Sequence, residues 1–156
     1  MKNISTFMII LTIISSSVIH AQKENNSKIK IISTKDAPSA IGPYSQAVRY
    51  GDFLFLSGQI SIDPVTSSVV GDNIESQTEQ IFRNIRAVLA EENLSLRNVV
   101  KCTVFMKNLD DFARMNAIYA AEFGDHKPAR STVQAARIPK DVLIEIECIA
   151  ADGEKE

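Results

Sequence analysis

Three charged side chains near the end of the chain are the strongest candidates for chemistry. Arg130 directly follows a proline turn in P-A-R-S-T-V-Q (128–134), and Glu145 and Glu147 alternate with large apolar residues in V-L-I-E-I-E-C-I-A (142–150). A charge removed from water costs on the order of several kcal/mol unless it is paired. Arginine presents a planar fork of donors that fits a carboxylate through two parallel hydrogen bonds.

Two interpretations of Arg130 are open at this point. In the first, Arg130 pairs with Glu145 or Glu147 and holds two strands together. In the second, it anchors the carboxylate of a ligand while a glutamate acts on the rest of that ligand. Arg130 shares its predicted strand face with Thr132 and Gln134, which form a polar row. The residue types alone favour the first interpretation, because structural ion pairs are commoner than functional sites.

Hydrophobic periodicity predicts the elements that position these side chains. Apolar residues at 74, 81, 82, 85, 88 and 89 form the stripe of a helix from Ile74 to about Asn93. A second helix is expected from about Asp110, a candidate N-cap, to Gly124. Strand-like segments around them give the order β-β-β-α-β-α-β-β. The predicted fold class is therefore α+β, a single mixed sheet of about six strands with two helices packed on one face.

The last predicted strand suggests that the other face of the sheet is covered as well. The residues expected to face the helices are Val142, Ile144, Ile146, Cys148 and Ala150, and those expected on the other face are Leu143, Glu145, Glu147 and Ile149. Large apolar residues that flank two glutamates make a poor solvent face. Partial burial against another subunit is expected.

Cys102 and Cys148 are the two cysteines of the chain, and both alternate with apolar residues in strand-like segments. Cysteine packs readily as a small hydrophobic residue. Two free thiols in the core are therefore expected, while a disulfide stays open if the two strands are neighbours. Since His126 is the single histidine after residue 21, neither a zinc site nor a Ser-His-Asp triad is expected.

The first 21 residues have the layout of a secretory signal peptide, with Lys2, the apolar run F-M-I-I-L-T-I-I (7–14), small serines and an expected cleavage site after Ala21, although Ile19 is larger than the residue usual at its position. A buried N-terminal element is the alternative, but the polar residues that follow favour export. The apolar run is shorter than the roughly 20 residues of a membrane span. The predicted division is a signal peptide at 1–21, a polar linker at 22–29, one domain at 30–151 and a charged tail at 152–156. The expected location is exported, periplasmic or secreted.

The charge balance argues against a general nucleic-acid surface. The chain has 17 lysine and arginine residues against 19 aspartate and glutamate residues, a net charge of −2. Phosphate contacts need clustered basic residues. No segment after residue 21 is apolar and long enough to span a membrane.

Five short motifs, taken in order, favour the second interpretation of Arg130, in which it anchors the carboxylate of a ligand. They are G-P-Y-S-Q-A (42–47), L-S-G-Q-I (56–60), M-N-A-I-Y (115–119), P-A-R-S (128–131) and I-P-K-D-V-L-I-E-I-E (138–147). With these motifs the chain resembles the RidA family, also called the YjgF/YER057c/UK114 family, of reactive enamine/imine deaminases. The resemblance extends over essentially residues 30–151.

This resemblance implies a fold, an assembly and an activity. The fold is chorismate-mutase-like, and the assembly is a homotrimer with its sheets facing inward and three clefts at the subunit interfaces. The activity is hydrolysis of 2-aminoacrylate and related 2-imino acids to 2-oxo acids and ammonia, without metal or cofactor. In this sequence Arg130 corresponds to the arginine that holds the substrate carboxylate, and Glu145 to the acid that positions the attacking water. Further pocket residues correspond to Tyr44, Ser57, Gly58 and Asn116.

One position departs from the family pattern. Members often have a cysteine two residues after the arginine, and this chain has Thr132 there. A hydroxyl cannot supply thiol chemistry, although the backbone of Thr132 can still contact substrate. Two rival functions stay open: a non-catalytic trimer that binds a small carboxylate in the Arg130 pocket, and RNA cleavage, an activity associated with some relatives.

Overall fold

The computed structural model describes residues 28–153, which form six strands and two helices in the predicted order. The elements are β1 (Lys30–Ile32), β2 (Ala47–Tyr50), β3 (Phe53–Gln59), α1 (Ile74–Ala90), β4 (Val99–Met106), α2 (Phe112–Phe123), β5 (Ala129–Gln134) and β6 (Ile144–Ala151). Short 3₁₀ turns occupy Leu96–Asn98, Leu109–Asp111 and Pro139–Asp141. The predicted α+β class is confirmed.

The strands form one open sheet in the order β1-β2-β3-β6-β4-β5. All neighbours are antiparallel except β4 and β5, so the sheet is mixed, as predicted. β5 is an edge strand, and β6 lies at the centre between β3 and β4. The candidate residues of β5 and β6 are therefore separated by a single strand.

Both helices begin or end slightly away from the predicted positions. α1 begins at Ile74 behind Asn73, whose side chain accepts a hydrogen bond from the Ser76 amide at 2.9 Å. It ends at Ala90, before the predicted Asn93. The backbone φ of Asn93 is 57°, in the left-handed region that asparagine tolerates and an α-helix does not use.

The predicted N-cap of the second helix at Asp110 is wrong. The side chain of Asn108 accepts a hydrogen bond from the Asp110 amide at 3.0 Å and begins the 3₁₀ turn Leu109–Asp111. α2 then starts at Phe112 and ends, as predicted, before Gly124, where φ is 59°.

The core lies between the two helices and one face of the sheet. The alternation of buried and more exposed residues along the last strand shows which face this is. The predicted helix-facing residues Val142, Ile144, Ile146, Cys148 and Ala150 are all buried. On the opposite face Leu143, Glu145 and Ile149 are half-buried, and Glu147 is exposed. The predicted alternation is confirmed.

The face of the sheet that points away from the helices, here called the outer face, is apolar in its middle. Phe53 and Phe55 of β3 lie on it with 47% and 44% of their surface exposed, and Val133 of β5 is 45% exposed. Their rings and methyl groups have no helix over them. The trimer predicted to cover this face stays a prediction.

The two cysteines face each other across neighbouring strands. Cys102 of β4 is the register partner of Cys148 of β6, and their sulfur atoms lie 3.4 Å apart. Both side chains are buried and both thiols are free. The prediction of two free core thiols agrees with this arrangement.

Two further predictions concern the ends of the chain and membranes. Residues 1–27 and 154–156 lie outside the described residues, so the predicted division at 1–21, 22–29, 30–151 and 152–156 stays a prediction. Between residues 28 and 153, no helix is both long and apolar enough to cross a membrane.

Candidate active site

A cavity of about 440 Å³ lies beside Glu145 at the centre of the sheet. One wall is the irregular segment between β1 and β2, and the other is formed by the end of β3, the segment that follows it and the first half of β6. The lining residues are Pro38, Ser39, Ile41, Tyr44, Gln46, Ser57, Gly58, Gln59, Ile60, Ile62, Pro139, Glu145 and Glu147. Four predicted site residues, Tyr44, Ser57, Gly58 and Glu145, therefore share one cavity.

Glu145 supplies the titratable group at the centre of this cavity. It is the register partner of Phe105, on the outer face, and its side chain is half-buried. Its carboxylate makes no hydrogen bond or ion pair with a described residue. Burial, with a smaller contribution from the charge of Glu147, raises the pKa of Glu145 above its usual value. Glu145 is thus a carboxyl group that can hold or release a proton closer to neutral pH than an exposed glutamate.

Gly58 gives Glu145 the space that it occupies. The β3–β6 register shifts between Leu56 and Gln59, which identifies a β-bulge at Ser57 and Gly58. A Cβ atom placed on Gly58 would lie 1.8 Å from Oε1 of Glu145 and 2.8 Å from its Cδ. Only glycine therefore permits the carboxylate to pack against the backbone of the bulge.

Ser57 and Tyr44 hold opposite sides of the cavity through local hydrogen bonds. The Ser57 hydroxyl donates to the carbonyl oxygen of Ser45 at 2.7 Å, and the Ser57 amide donates to the carbonyl of Gln46 at 3.0 Å. The Tyr44 ring is 50% exposed, and its hydroxyl accepts a hydrogen bond from the Ile41 amide at 3.3 Å. Both side chains shape the cavity without closing it.

Gln46 organises the loop wall and was not identified from the sequence. Its buried side-chain amide donates to the carbonyl oxygens of Thr34, Ala37 and Pro38 at 3.0, 3.1 and 2.8 Å, and its oxygen accepts from the Thr34 amide at 2.6 Å. One buried glutamine thus satisfies several backbone groups of an otherwise irregular segment. No local sequence pattern distinguishes such a glutamine from an exposed one.

Arg130 lies away from this cavity, on the helix side of the sheet. It is the register partner of the buried Cys102, and its guanidinium carbon lies 4.5 Å from the centre of the Tyr119 ring and 5.5 Å from that of Phe112. Neither Glu145 nor Glu147 pairs with it. The first interpretation of Arg130, a structural ion pair between the strands, is therefore wrong.

Asn116 and Thr132 belong to the same side of the sheet as Arg130. Asn116 is half-buried on α2, four residues after Phe112 and three before Tyr119, so the three share one helix face. The hydroxyl oxygen of Thr132 is buried and has no hydrogen-bond partner among the described residues. The predicted site residues thus form two groups in one chain: the cavity group around Glu145 and the edge group around Arg130.

Metal ligands are not brought together in this part of the molecule. Among residues 28–153, no three histidine, cysteine, aspartate or glutamate side chains are placed to hold a metal ion. The chemistry available to the two groups is that of a carboxyl group with a raised pKa, a guanidinium and polar backbone.

Comparison with known proteins places this arrangement in a family. A sequence model of the family described as Endoribonuclease L-PSP matches residues 34–152. The chain belongs to this family. A RutC family protein of Pyrococcus horikoshii is 53% identical over 121 residues, which cover 78% of this chain and 96% of the relative. The 2-iminobutanoate/2-iminopropanoate deaminase of Salmonella typhimurium is 48% identical over 124 residues, 78% of this chain and 96% of the relative.

Solved structures of L-PSP family members have the same fold. The Rid family protein YyfA of Yersinia pestis, described as of unknown function, is 46% identical with a TM-score of 0.78 over 80% of this chain and 99% of its own. TdcF of Escherichia coli, solved with bound serine, is 43% identical with a TM-score of 0.75 over 78% and 98% of the two chains. The resemblance to the RidA family is confirmed.

The same relatives contradict the prediction of a signal peptide. The Pyrococcus horikoshii and Pyrococcus abyssi proteins are matched over 96% and 95% of their own length, so the shared domain makes up nearly all of each. The remaining residues of each of these two relatives are too few for a counterpart of a 21-residue segment. Residues 1–21 lie outside the described residues, and the exported location that rests on them stays an untested prediction.

Proposed function

We propose that the protein is a cofactor-free hydrolytic deaminase that converts 2-aminoacrylate and related 2-imino acids to 2-oxo acids and ammonia. The observation that carries the proposal is Glu145, a half-buried carboxyl group with a raised pKa that lines a cavity beside a glycine bulge. The names of the Salmonella typhimurium and Escherichia coli relatives, both 2-iminobutanoate/2-iminopropanoate deaminases at 48% identity, support it.

The reaction needs few groups because its substrates are already reactive. Protonation of 2-aminoacrylate at its methylene carbon gives a 2-imino acid, whose carbon–nitrogen double bond is open to water. The water oxygen bonds to that carbon and one water proton passes to the nitrogen, which gives a carbinolamine. The hydroxyl proton of the carbinolamine then passes to the nitrogen as the carbonyl forms and the carbon–nitrogen bond breaks. The products are a 2-oxo acid and ammonia, and no electrons enter or leave.

Glu145 is proposed to move the protons through a water molecule in the cavity. Its carboxylate accepts a proton from the water as the oxygen attacks, and the resulting acid returns the proton to the departing nitrogen. A placed group of this kind contributes typically ~10²–10⁴ in rate. The raised pKa suits both halves of the cycle, because each protonation state is then populated nearer to neutral pH.

Arg130 is proposed to hold the carboxylate of the substrate, assisted by Asn116 and Thr132. Since Arg130 and the Glu145 cavity lie on different sides of one chain, a complete site requires the edge group of one protomer and the cavity group of another. The exposed Phe53 and Phe55 of the outer face support such an assembly, because a stable interface buries this kind of surface. We therefore propose a homotrimer with sites at its subunit interfaces.

An imine-hydrolysis assay tests the proposal. An amino-acid oxidase supplies 2-imino acids, and their decay is followed with and without the protein for several side chains. We expect wild-type protein to accelerate the decay, Glu145→Gln to reduce the acceleration by ~10²–10⁴, and Arg130→Ala to reduce it by about 10- to 100-fold. Glu79→Gln, which changes an exposed glutamate of α1, is the control and should match wild type.

Two alternative functions would give different results. A non-catalytic carboxylate-binding protein, which the serine-bound TdcF structure favours, would bind a small carboxylate through Arg130 but leave every imine at its uncatalysed rate. An RNA-cleaving protein, which the family description favours, would cut RNA in a way that Arg130→Ala abolishes and that a mock purification does not reproduce. The net charge of −2 argues against the second.

A further inference from the structure

Arg130 is held by aromatic rings and not by a carboxylate. Its guanidinium carbon lies 4.5 Å from the centre of the Tyr119 ring and 5.5 Å from that of Phe112, both within the range of cation–π contacts. Within residues 28–153 the guanidinium group of Arg130 forms no hydrogen bond or ion pair. Four other arginines of the described chain are paired with carboxylates: Arg49, Arg86, Arg114 and Arg137.

This arrangement leaves the binding capacity of Arg130 unused. A carboxylate partner would fix the guanidinium but would occupy the N–H donors that a ligand carboxylate needs. A ring below the guanidinium carbon restricts the position of the group through a cation–π contact, which uses none of its N–H donors in an ion pair. No anionic side chain among residues 28–153 pairs with the positive charge of Arg130 either. The rings therefore hold the guanidinium in place without competing with the ligand, whereas an ion pair would compete with it.

Tyr119 is itself fixed by the core. Its ring packs against those of Phe82 and Phe123, with centroid distances of 5.7 and 4.7 Å. Its hydroxyl is buried and makes no hydrogen bond of standard geometry to a described residue, although it lies beside the Cys102 thiol. The π face, rather than the hydroxyl, is thus the part of Tyr119 that serves Arg130.

Phe112 contributes a second ring from the start of α2. It is 38% exposed, one turn before Asn116 and two turns before Tyr119 on the same helix face. Because Phe112 contributes little to the core, it can be changed without threatening the fold. Tyr119 and Phe112 together form an aromatic cradle for Arg130.

We propose that Tyr119 and Phe112 are positioning residues: they hold the Arg130 guanidinium ready for a carboxylate ligand, so that binding does not have to order a free arginine side chain. This inference deepens the proposed function, from which it takes the carboxylate as ligand. It assigns to two residues outside the Glu145 cavity a role in ligand affinity.

Calorimetric titration with 2-oxobutanoate, a 2-oxo acid of the class that the proposed reaction releases, tests the cradle without depending on turnover. Immobilising a flexible side chain costs roughly 0.5–1.5 kcal/mol, so Tyr119→Leu should weaken the Kd by about 2- to 10-fold and Phe112→Leu by about 2-fold. Tyr119→Phe keeps the ring and should match wild type. Thermal unfolding of each variant checks that the fold persists.

A double-mutant cycle distinguishes positioning from a general structural effect. Lysine keeps the charge of Arg130 but has no flat guanidinium to stack, so Tyr119→Leu should change the Kd of the Arg130→Lys protein by less than 2-fold. Equal losses in both backgrounds, or a loss in Tyr119→Phe as large as in Tyr119→Leu, would overturn the proposal, as would wild-type protein that does not bind 2-oxobutanoate. If only the deaminase proposal is wrong, the protein will turn over no imine, but the coupling between Tyr119 and Arg130 in ligand binding will still be measured.

Discussion

Arg130 and Glu145 project from opposite faces of the same sheet, although only β4 separates their strands. Arg130 is the register partner of the buried Cys102, on the helix side, whereas Glu145 is the register partner of Phe105, on the outer face. Side chains of one protomer cannot cross a sheet to act on one small ligand. If both residues serve one reaction, they do so from different protomers.

Gly58 is predicted to be essential for activity and not for folding. In Gly58→Ala the new methyl group would overlap Oε1 of Glu145, so the carboxylate must leave its place in the cavity. We expect imine hydrolysis to fall by ~10²–10⁴, the contribution of a placed proton-transfer group, with a Tm close to that of wild type.

Gly153→Ala is the matched control for the same substitution. A Cβ atom at Gly153 meets no atom within 4 Å, so activity and Tm should both stay unchanged. Wild-type turnover by the Gly58→Ala protein would show that the position of Glu145 is not critical.

The pH profile of activity should depend on the ionisation of Glu145 and on the charge of its neighbour Glu147. Burial and the charge of Glu147 raise the pKa of Glu145, so the base form is lost, and kcat/KM falls, at a higher pH than for an ordinary glutamate. Glu147→Gln removes the charge but not the burial. The acidic limb should therefore move to lower pH without reaching the usual glutamate range; an unmoved limb would contradict the assignment of that limb to Glu145.

Gln46 is predicted to stabilise the loop wall of the cavity. Gln46→Glu keeps the size of the side chain and an acceptor for the Thr34 amide, but it removes the donor that serves the carbonyl oxygens of Thr34, Ala37 and Pro38. A buried carbonyl without a donor costs ~1–3 kcal/mol, and the new carboxylate would itself be buried beside carbonyl oxygens instead of a cation. Urea unfolding should show a loss of at least that size together with a raised KM.

A matched substitution separates this effect from a general sensitivity to new charge. Gln134→Glu, at an exposed residue of β5, should lose less than ~0.5 kcal/mol. Equal losses at both positions would argue against a special role for Gln46.

The two cysteines should be unreactive until the protein unfolds. Cys102 and Cys148 are both buried. The hydrogen bond with the Cys102 thiol, together with burial, raises the pKa of Cys148, whereas the same hydrogen bond lowers the pKa of Cys102. Because a reagent must reach the sulfur atom and neither side chain is accessible, a thiol-specific reagent should label neither residue in native protein and both in denaturant. Rapid labelling of native protein, or denatured protein with no free thiol, would contradict two free core cysteines.

The sequence was informative where local periodicity determines structure. The apolar stripe after Ile74 predicted α1, and the alternation around Glu145 predicted which residues of β6 are buried, because both patterns follow directly from helix and strand geometry. The start of α2 could not be located in this way, because Asn108 and Asp110 are both residue types that cap helices, and Asn108 begins a 3₁₀ turn ahead of the helix.

The relationship between the two groups of site residues could not be predicted in this way. Which face Arg130 occupies depends on the parallel pairing of β4 with β5, a contact between segments distant in the sequence. The roles of Gln46 and Tyr119 likewise depend on tertiary contacts. Motif resemblance predicted that Arg130 and Glu145 act in one site, and their positions on opposite faces of the sheet imply that such a site would need two protomers.

Mixing two inactive variants tests this central claim most directly. Arg130→Ala protein retains Glu145, and Glu145→Gln protein retains Arg130. When equal amounts are unfolded and refolded together, about a quarter of the interfaces in randomly mixed trimers should combine an intact Arg130 with an intact Glu145 from the neighbouring protomer. We predict that about a quarter of wild-type imine hydrolysis returns. Activity no higher than that of the separately refolded variants, in trimers shown to be mixed, would contradict a shared site.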